Sequence, residues 1–297
     1  MPRRAPLGVQ PPERGLVGPG GKQLIVHVVI NADSWAYDRP MPRKILGAPH
    51  GVDTVPDVPN FSWVAYGMRR GLPRFIEALG ARQLPATVAL NASVIEDYPE
   101  EAAQLVAAGY ELIGHGVEQE TLHRAEDEAA VITASLSRLE ALNGRRVRGW
   151  LGPGLQETFA TLDHLAAAGI DYVFDWVIDD VPVWLEATPQ PVLSIPYSLE
   201  LNDSVLFAAH EYPTEEYLIR LRATLSRFDR ELAGGALVLA LPLHPHLLGV
   251  AHRIGAFEEA LDLLLAREDT AFLSGSEIYD WYVGAVGRPR ARGETAR

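Results

Sequence analysis

The chain contains no cysteine, which excludes disulfides, thiolate zinc sites and cysteine nucleophiles, so any metal has to be held by His, Asp, Glu or an amide oxygen. Positive charge is scarce: 26 Lys and Arg stand against 39 Asp and Glu, a formal net charge of -13. Nucleic acid is bound through clusters of Lys and Arg, so that partner class is excluded, and the acid excess reads as a solubilising surface. No apolar run is long enough to span a bilayer, so no membrane partner is expected. Residues 1–22 carry Arg3, Arg4, Pro11, Pro12 and several Gly but no continuous apolar segment of signal-peptide type, and a cytoplasmic location is the expectation. Gly-x-Ser-x-Gly, phosphate-binding Gly-Lys-Ser or Gly-Lys-Thr, His-Glu-x-x-His and Gly-x-Gly-x-x-Gly are also absent. Serine hydrolase, P-loop, zincin and Rossmann readings lose support accordingly.

What is present is enough to build one large core. The chain has 297 residues, 47% of them hydrophobic, and a single α/β barrel accounts for nearly all of its length. The expected organisation is a flexible arm over 1–22, one barrel domain over 23–286 and a flexible tail over 287–297. Short apolar runs at 24–30, 86–90, 111–114, 148–151, 172–174, 192–195, 236–241 and 270–273 read as strands. Helical patterns fall at 71–79, 99–108, 126–142, 158–168, 214–232 and 256–266, with Gly80, Gly109 and Gly169 where stop signals belong. Seven or eight strand-helix units favour a (β/α) barrel over a doubly wound open sheet. Residues 35–60, rich in Pro, Gly and charge, read as a long loop over the active face.

Three polar sites stand where apolar runs stop, and side chains at the carboxyl ends of parallel strands converge on one mouth. The first is Asn31-Ala32-Asp33, where Asp33 either caps the next segment or serves a function. In the second, His115 sits between Gly114 and Gly116 and is either a ligand or acid/base group or a structural hydrogen-bonder; Gln119 and His123 follow at four and eight residues. In the third, His244 closes a long apolar strand and Pro245 stops the ladder, which places the imidazole near the rim. A fourth cluster holds Asp175, Asp179 and Asp180 among aromatics, where a carboxyl can acquire a raised pKa and work as acid or base, ligate a cation or hold a turn.

With these motifs in order, the chain resembles the polysaccharide deacetylase (NodB homology) superfamily, in particular the branch with metal-independent allantoinase and cyclic imide hydrolase. The resemblance runs from about Leu24 to about Tyr282. It rests on Asn31-Ala32-Asp33, residues 66–71 (YGMRRG), Gly114-His115-Gly116, Gly149-Trp150, Asp175 with Asp179-Asp180-x-Pro-x-Trp184, Pro196-Tyr197 with Asn202-Asp203, and Leu243-His244. It implies an α/β fold, a distorted (β/α)7 barrel, and hydrolysis of carbon-nitrogen bonds in amides. Carried over, Asp33, His115 and Gln119 are the metal candidates, Gln119 standing where a second His is usual and Asn31 where a base Asp is common. The cofactor implied is a divalent metal, zinc preferred, or none. Asp33, His244, Asp179 and Asp180 are the catalytic candidates; Asn31, Arg69, Trp150, Trp184 and Tyr197 are the substrate-binding ones. The expected activity is hydrolysis of a small linear or cyclic amide (allantoin, an imide or an N-acyl compound) by a homo-oligomer. Polysaccharide or amino-sugar N-deacetylation is one alternative, and a degenerate barrel that binds a small ligand is the other.

Overall fold

The computed structural model describes residues 4–5, 15–48 and 51–289. Strand β1 (Leu24–Ala32) is buried along all nine residues. Its β-branched run suits a strand covered on both faces. Val26, Val28 and Ile30 join the layer against the helices, whereas Ile25 and Val29 join a second core with Ile113, Leu151, Phe174, Leu193 and Val238. That second set comes from strands across the whole sheet, so the sheet is curled and these side chains fill its interior. Each fully buried Leu, Ile or Phe of this kind stabilises the fold by about 2 kcal/mol.

The remaining strands are β2 (Thr87–Leu90), β3 (Glu111–Gly114), β4 (Gly149–Trp150), β5 (Tyr172–Val173), β6 (Val183–Leu185), β7 (Val192–Ser194), β8 (Leu237–Leu243) and β9 (Thr270–Phe272). Seven of them run parallel in the order β7-β5-β4-β3-β2-β1-β8, which is the distorted (β/α)7 barrel expected. β6 folds back antiparallel on β7, and β9 pairs with the first residues of β1. At the seam beyond β6, the amide of Val238 donates to the Asp180 carbonyl at 2.9 Å.

The helices are α1 (Val58–Tyr66), α2 (Leu72–Gly80), α3 (Val94–Asp97), α4 (Pro99–Ala107), α5 (Glu128–Asn143), α6 (Thr161–Ala167), α7 (Glu215–Glu231), α8 (Ile254–Leu265) and α9 (Gly275–Val286). Three of them, α1, the short α3 and α9, have no counterpart in the helices expected from sequence. α1 begins inside the stretch expected to be loop, with Asp57 capping it through the Asn60 amide, and a π-helical turn, Gly67–Gly71, joins it to α2. α9 opens on a capping box of Ser274 and Glu277 and closes the amino-terminal end of the barrel with Ile278, Tyr279 and Tyr282.

The expected flexible arm is anchored where it is described. Arg4 pairs with Asp163 at 2.6 Å, Leu16 is buried, and the Trp281 indole donates to the Val17 carbonyl. Residues 1–3 and 6–14 of that arm, and 290–297 of the expected tail, lie outside the described residues.

Candidate active site

The inner-face alternation of β1 that contains Ile25 and Val29 continues through Asn31 to Asp33, past the strand end at the carboxyl mouth. Asp33 is 3% exposed. Its Oδ1 lies 3.4 Å from His115 Nε2 and its Oδ2 4.0 Å from His244 Nε2. The three strand-end sites, distant in sequence, therefore meet at one carboxylate. Burial pushes that carboxyl up, but the neighbouring His115 imidazole and the charge of His244 outweigh burial and hold it down at about 2. Asp33 is thus an ionised carboxylate at neutral pH.

Each histidine is oriented from behind. His115 Nδ1 donates to the Leu151 carbonyl at 2.6 Å, which fixes a proton on that nitrogen and turns Nε2 toward Asp33. The Asn91 amide donates to the His115 carbonyl while its oxygen accepts from the Ser34 amide, tying the ends of β1 and β3 together. Asp203 does the same work for His244. Its Oδ1 accepts from His244 Nδ1 at 2.6 Å, and its Oδ2 accepts from the backbone amides of His244 and Leu248 at 2.7 and 3.1 Å. This carboxylate-imidazole pair leaves His244 Nε2 as the working nitrogen. Asp203 appeared in the sequence reading only as part of a motif, with no role. Its place directly before a helical turn and 41 residues from His244 gave no local signal.

Asn31 and Tyr197 form the floor. The Asn31 amide donates to the Tyr197 hydroxyl and to the Leu243 carbonyl, both at 3.1 Å, so the neutral residue braces the strand that carries His244. Burial raises the Tyr197 hydroxyl well above its ordinary range, and it stays protonated.

Five other expected site residues are placed elsewhere. Asp179 and Asp180 are exposed and sit at the start of β8, the end opposite His244, where the Asp180 carbonyl bonds Val238. Trp184 packs edge-on against Tyr279 of α9, also at the far end. Trp150 faces outward: a side-chain carbon on Gly114 would lie 2.5 Å from its ring and 2.9 Å from Leu136. The strand alternation gives the inner position to Leu151 instead. Arg69 is exposed on the π-helical turn.

The value of residues 66–71 lies in packing. A Cβ on Gly67 would come within 2.4 Å of the His246 backbone, and one on Gly71 within 2.0 Å of the Pro245 carbonyl. The helix thereby seats directly on the loop that follows His244.

Residues 62–173 match the polysaccharide deacetylase family. A peptidoglycan deacetylase of Helicobacter pylori (strain ATCC 700392 / 26695) is 26% identical over 160 residues, 53% of this chain and 54% of that protein. The chain thus spans about half the length of the curated relative it matches. Among solved structures, PuuE allantoinase superposes with a TM-score of 0.83 over 95% of this chain and 97% of its own, at 21% identity. A probable polysaccharide deacetylase from Pseudomonas aeruginosa PAO1 does so with a TM-score of 0.79 over 92% and 95%, at 22% identity. The chain shares the distorted barrel fold of these structures.

The donor set at the mouth allows a test of whether a divalent metal would fit. Asp33 Oδ1, His115 Nε2 and Gln119 Oε1 are all buried without a hydrogen-bond partner. Acceptors buried without donors call for a proton or a cation, and the 3.4 Å between the first two atoms suits ligands sharing one ion. A divalent cation therefore fits, held by Asp33, His115 and Gln119. Zinc's usual set does not, because Gln119 supplies a neutral oxygen, and no group of three His, Cys, Asp or Glu among the described residues has metal-binding geometry.

The loop after Trp35 crosses the mouth of this barrel as a lid. Arg39 pairs with Glu118 and Glu120, Lys44 with Asp53, and Arg43 bonds the Ser204 hydroxyl. Asn60 at the start of α1 holds Ile45 and Leu46. Pro42, Arg43 and Lys44 separate two clefts of about 560 and 770 Å³. Trp35 and Gln119 line the first, and Asp175, Asn202 and Ser204 line the second. The Asp175 carboxyl is driven well above its usual range by burial and by Glu157 nearby.

Proposed function

We propose that the protein hydrolyses a carbon-nitrogen bond of a small linear or cyclic amide. The observation that supports this reading is the Asp203-oriented His244 facing Asp33 and His115 across one buried mouth. Water adds to the amide carbonyl carbon, and the Asp33–His115 pair takes its proton. A carboxyl held at about 2 is a poor base alone, but the adjoining imidazole nitrogen shares the proton. His244 then delivers a proton to the leaving nitrogen as the carbon-nitrogen bond breaks, while Asp203 stabilises the imidazolium that precedes delivery. A divalent ion at Asp33, His115 and Gln119 would supply further acidification of the water. The products are a carboxylate and an amine or, from a ring, both on one molecule.

The strapped lid favours small substrates over polymer chains, since Arg39 and Arg43 tie it to opposite sides of the mouth. The neutral Asn31 and Gln119 favour the second reading, a binding barrel without turnover. The first reading carries with it a small-molecule substrate and a cytoplasmic homo-oligomer. No described helix is long and apolar enough to cross a membrane.

The test is mass-spectrometric detection of hydrolysis with hydantoin, succinimide, allantoin and N-acetylglucosamine, with and without added zinc or chelator. Turnover lost in both Asp33→Ala and His244→Ala supports hydrolysis. Ligand-dependent thermal stabilisation with no product from any substrate supports the binding reading instead.

A further inference from the structure

The lid carries three cations with different surroundings. Arg39 is neutralised by Glu118 and Glu120, and Lys44 by Asp53. Arg43 is half-buried, and its hydrogen bond goes to the uncharged hydroxyl of Ser204. No ion pair to Arg43 exists among the described residues. Arg74 and Arg253 are likewise half-buried without an ion pair, but each bonds a backbone carbonyl. Arg43 instead has a neutral hydroxyl and stands over two clefts, a setting that suits an anionic ligand.

The position is as informative as the charge. Arg43 lines both clefts, and its charge is felt at His246, whose ring packs 5.8 Å from that of His244. The second cleft holds one carboxyl, Asp175, whose Oδ1 accepts from the Gly152 amide and which makes no ion pair with Arg43. Its remaining polar side chains are Lys44, which pairs with Asp53, and the uncharged Gln156, Asn202 and Ser204.

We propose that Arg43 is the specificity-determining residue of this site and binds a carboxylate on the non-reacting end of the substrate. The substrate class is then an anionic amide or cyclic amide, a carboxylated ring or an N-acyl amino acid. Two guanidinium N–H groups grip the carboxylate in a fork that no hydroxyl can match, and Ser204 is released as a second donor. Neutral amino sugars lack the group that Arg43 reads. The inference rests on the amide-hydrolase reading for its chemistry, though binding tests it separately.

The experiment compares hydantoin-5-acetate with 5-methylhydantoin in the full-length protein and in Arg43→Gln and Arg43→Lys. Calorimetric titration at low salt gives binding, and ring opening gives kcat/KM. The wild type is expected to favour the carboxylated ring by about 50-fold in both measures. Arg43→Gln collapses that ratio to near one, chiefly through KM, and Arg43→Lys falls between, because it keeps the charge without the fork. Equal binding of the two rings by the wild type, or a ratio untouched by Arg43→Gln, overturns the proposal. If neither ring opens in any variant, hydrolysis of this substrate class fails, while the titration ratio alone still upholds or overturns the role of Arg43.

Discussion

The two ends of the barrel interior serve their carboxylates differently, although orphaned polar atoms occur at both, His27 Nδ1 and the Thr270 hydroxyl at the base among them. At the amino-terminal end, Glu111 accepts from the Tyr172 hydroxyl at 2.6 Å, from the Ser276 amide at 2.9 Å and from the Ser276 hydroxyl. Thr87 accepts from the Gly275 amide and bonds His27. At the carboxyl end, Asp33, His115 and Gln119 each keep a buried acceptor atom without a donor. Completed hydrogen bonds stabilise, whereas orphaned acceptors cost stability unless a ligand completes them. The base is therefore built for folding and the mouth for binding and chemistry, on the same strands.

Four measurements break or sharpen that contrast. Asp203→Asn removes the acceptor that sets the His244 tautomer, and kcat/KM on any substrate found is expected to fall about 10³-fold, or about 4 kcal/mol. Steady-state kinetics on folded variant checks this; a tenfold loss or less would mean that His244 is not the proton donor. Glu111→Ala at the base should cost about 3 kcal/mol in urea unfolding, since it strands the Tyr172 hydroxyl. Its kcat/KM should stay within about threefold of wild type, and a larger loss would dissolve the division between the two ends. Gln119→His supplies the third strong donor, and chelator competition should show zinc binding tighter by about 50-fold. No gain would remove Gln119 from the cation set.

The fourth measurement follows pH. Burial raises Glu157 to about 7 despite the Trp176 indole bonded to it. A carboxyl raised on folding binds its proton more tightly in the native state, so stability falls as pH rises from about 4.5 to about 7. For this partly exposed group the change is about 2 kcal/mol, and melting curves of Glu157→Gln should lose that slope. Asp33 acts with the opposite sign: held at about 2 when folded, it adds stability that is present above about pH 4 and is lost as pH falls through 2.

Strands were the most legible part of the sequence, because burial on both faces writes a continuous apolar run, as in β1 and β8. The strand-end rule brought Asp33, His115 and His244 together correctly, since it depends only on where those runs stop. Asp203, Asn91 and Leu151 were illegible as partners because each acts across the mouth from another strand or loop. Asp179, Asp180 and Trp184 misled for the complementary reason. They have the residue types of a site, but the Asp180 backbone is bonded to the start of β8 and Trp184 packs on α9, away from the Asp33–His115–His244 cluster. Trp150 failed on parity alone, one residue from the inward-facing Leu151.

The seating of Gly67 and Gly71 on the Pro245–His246 backbone sets a pattern of mutational tolerance that the helix's outward appearance hides. Arg69 and Arg70, between them, face solvent and can be exchanged freely, yet a single methyl at either glycine would collide with main chain that has nowhere to retreat. A saturation library over this turn would therefore return two vetoed positions around two permissive ones. The veto would be registered as lost activity if His244 acts as proposed, since the segment displaced directly follows it.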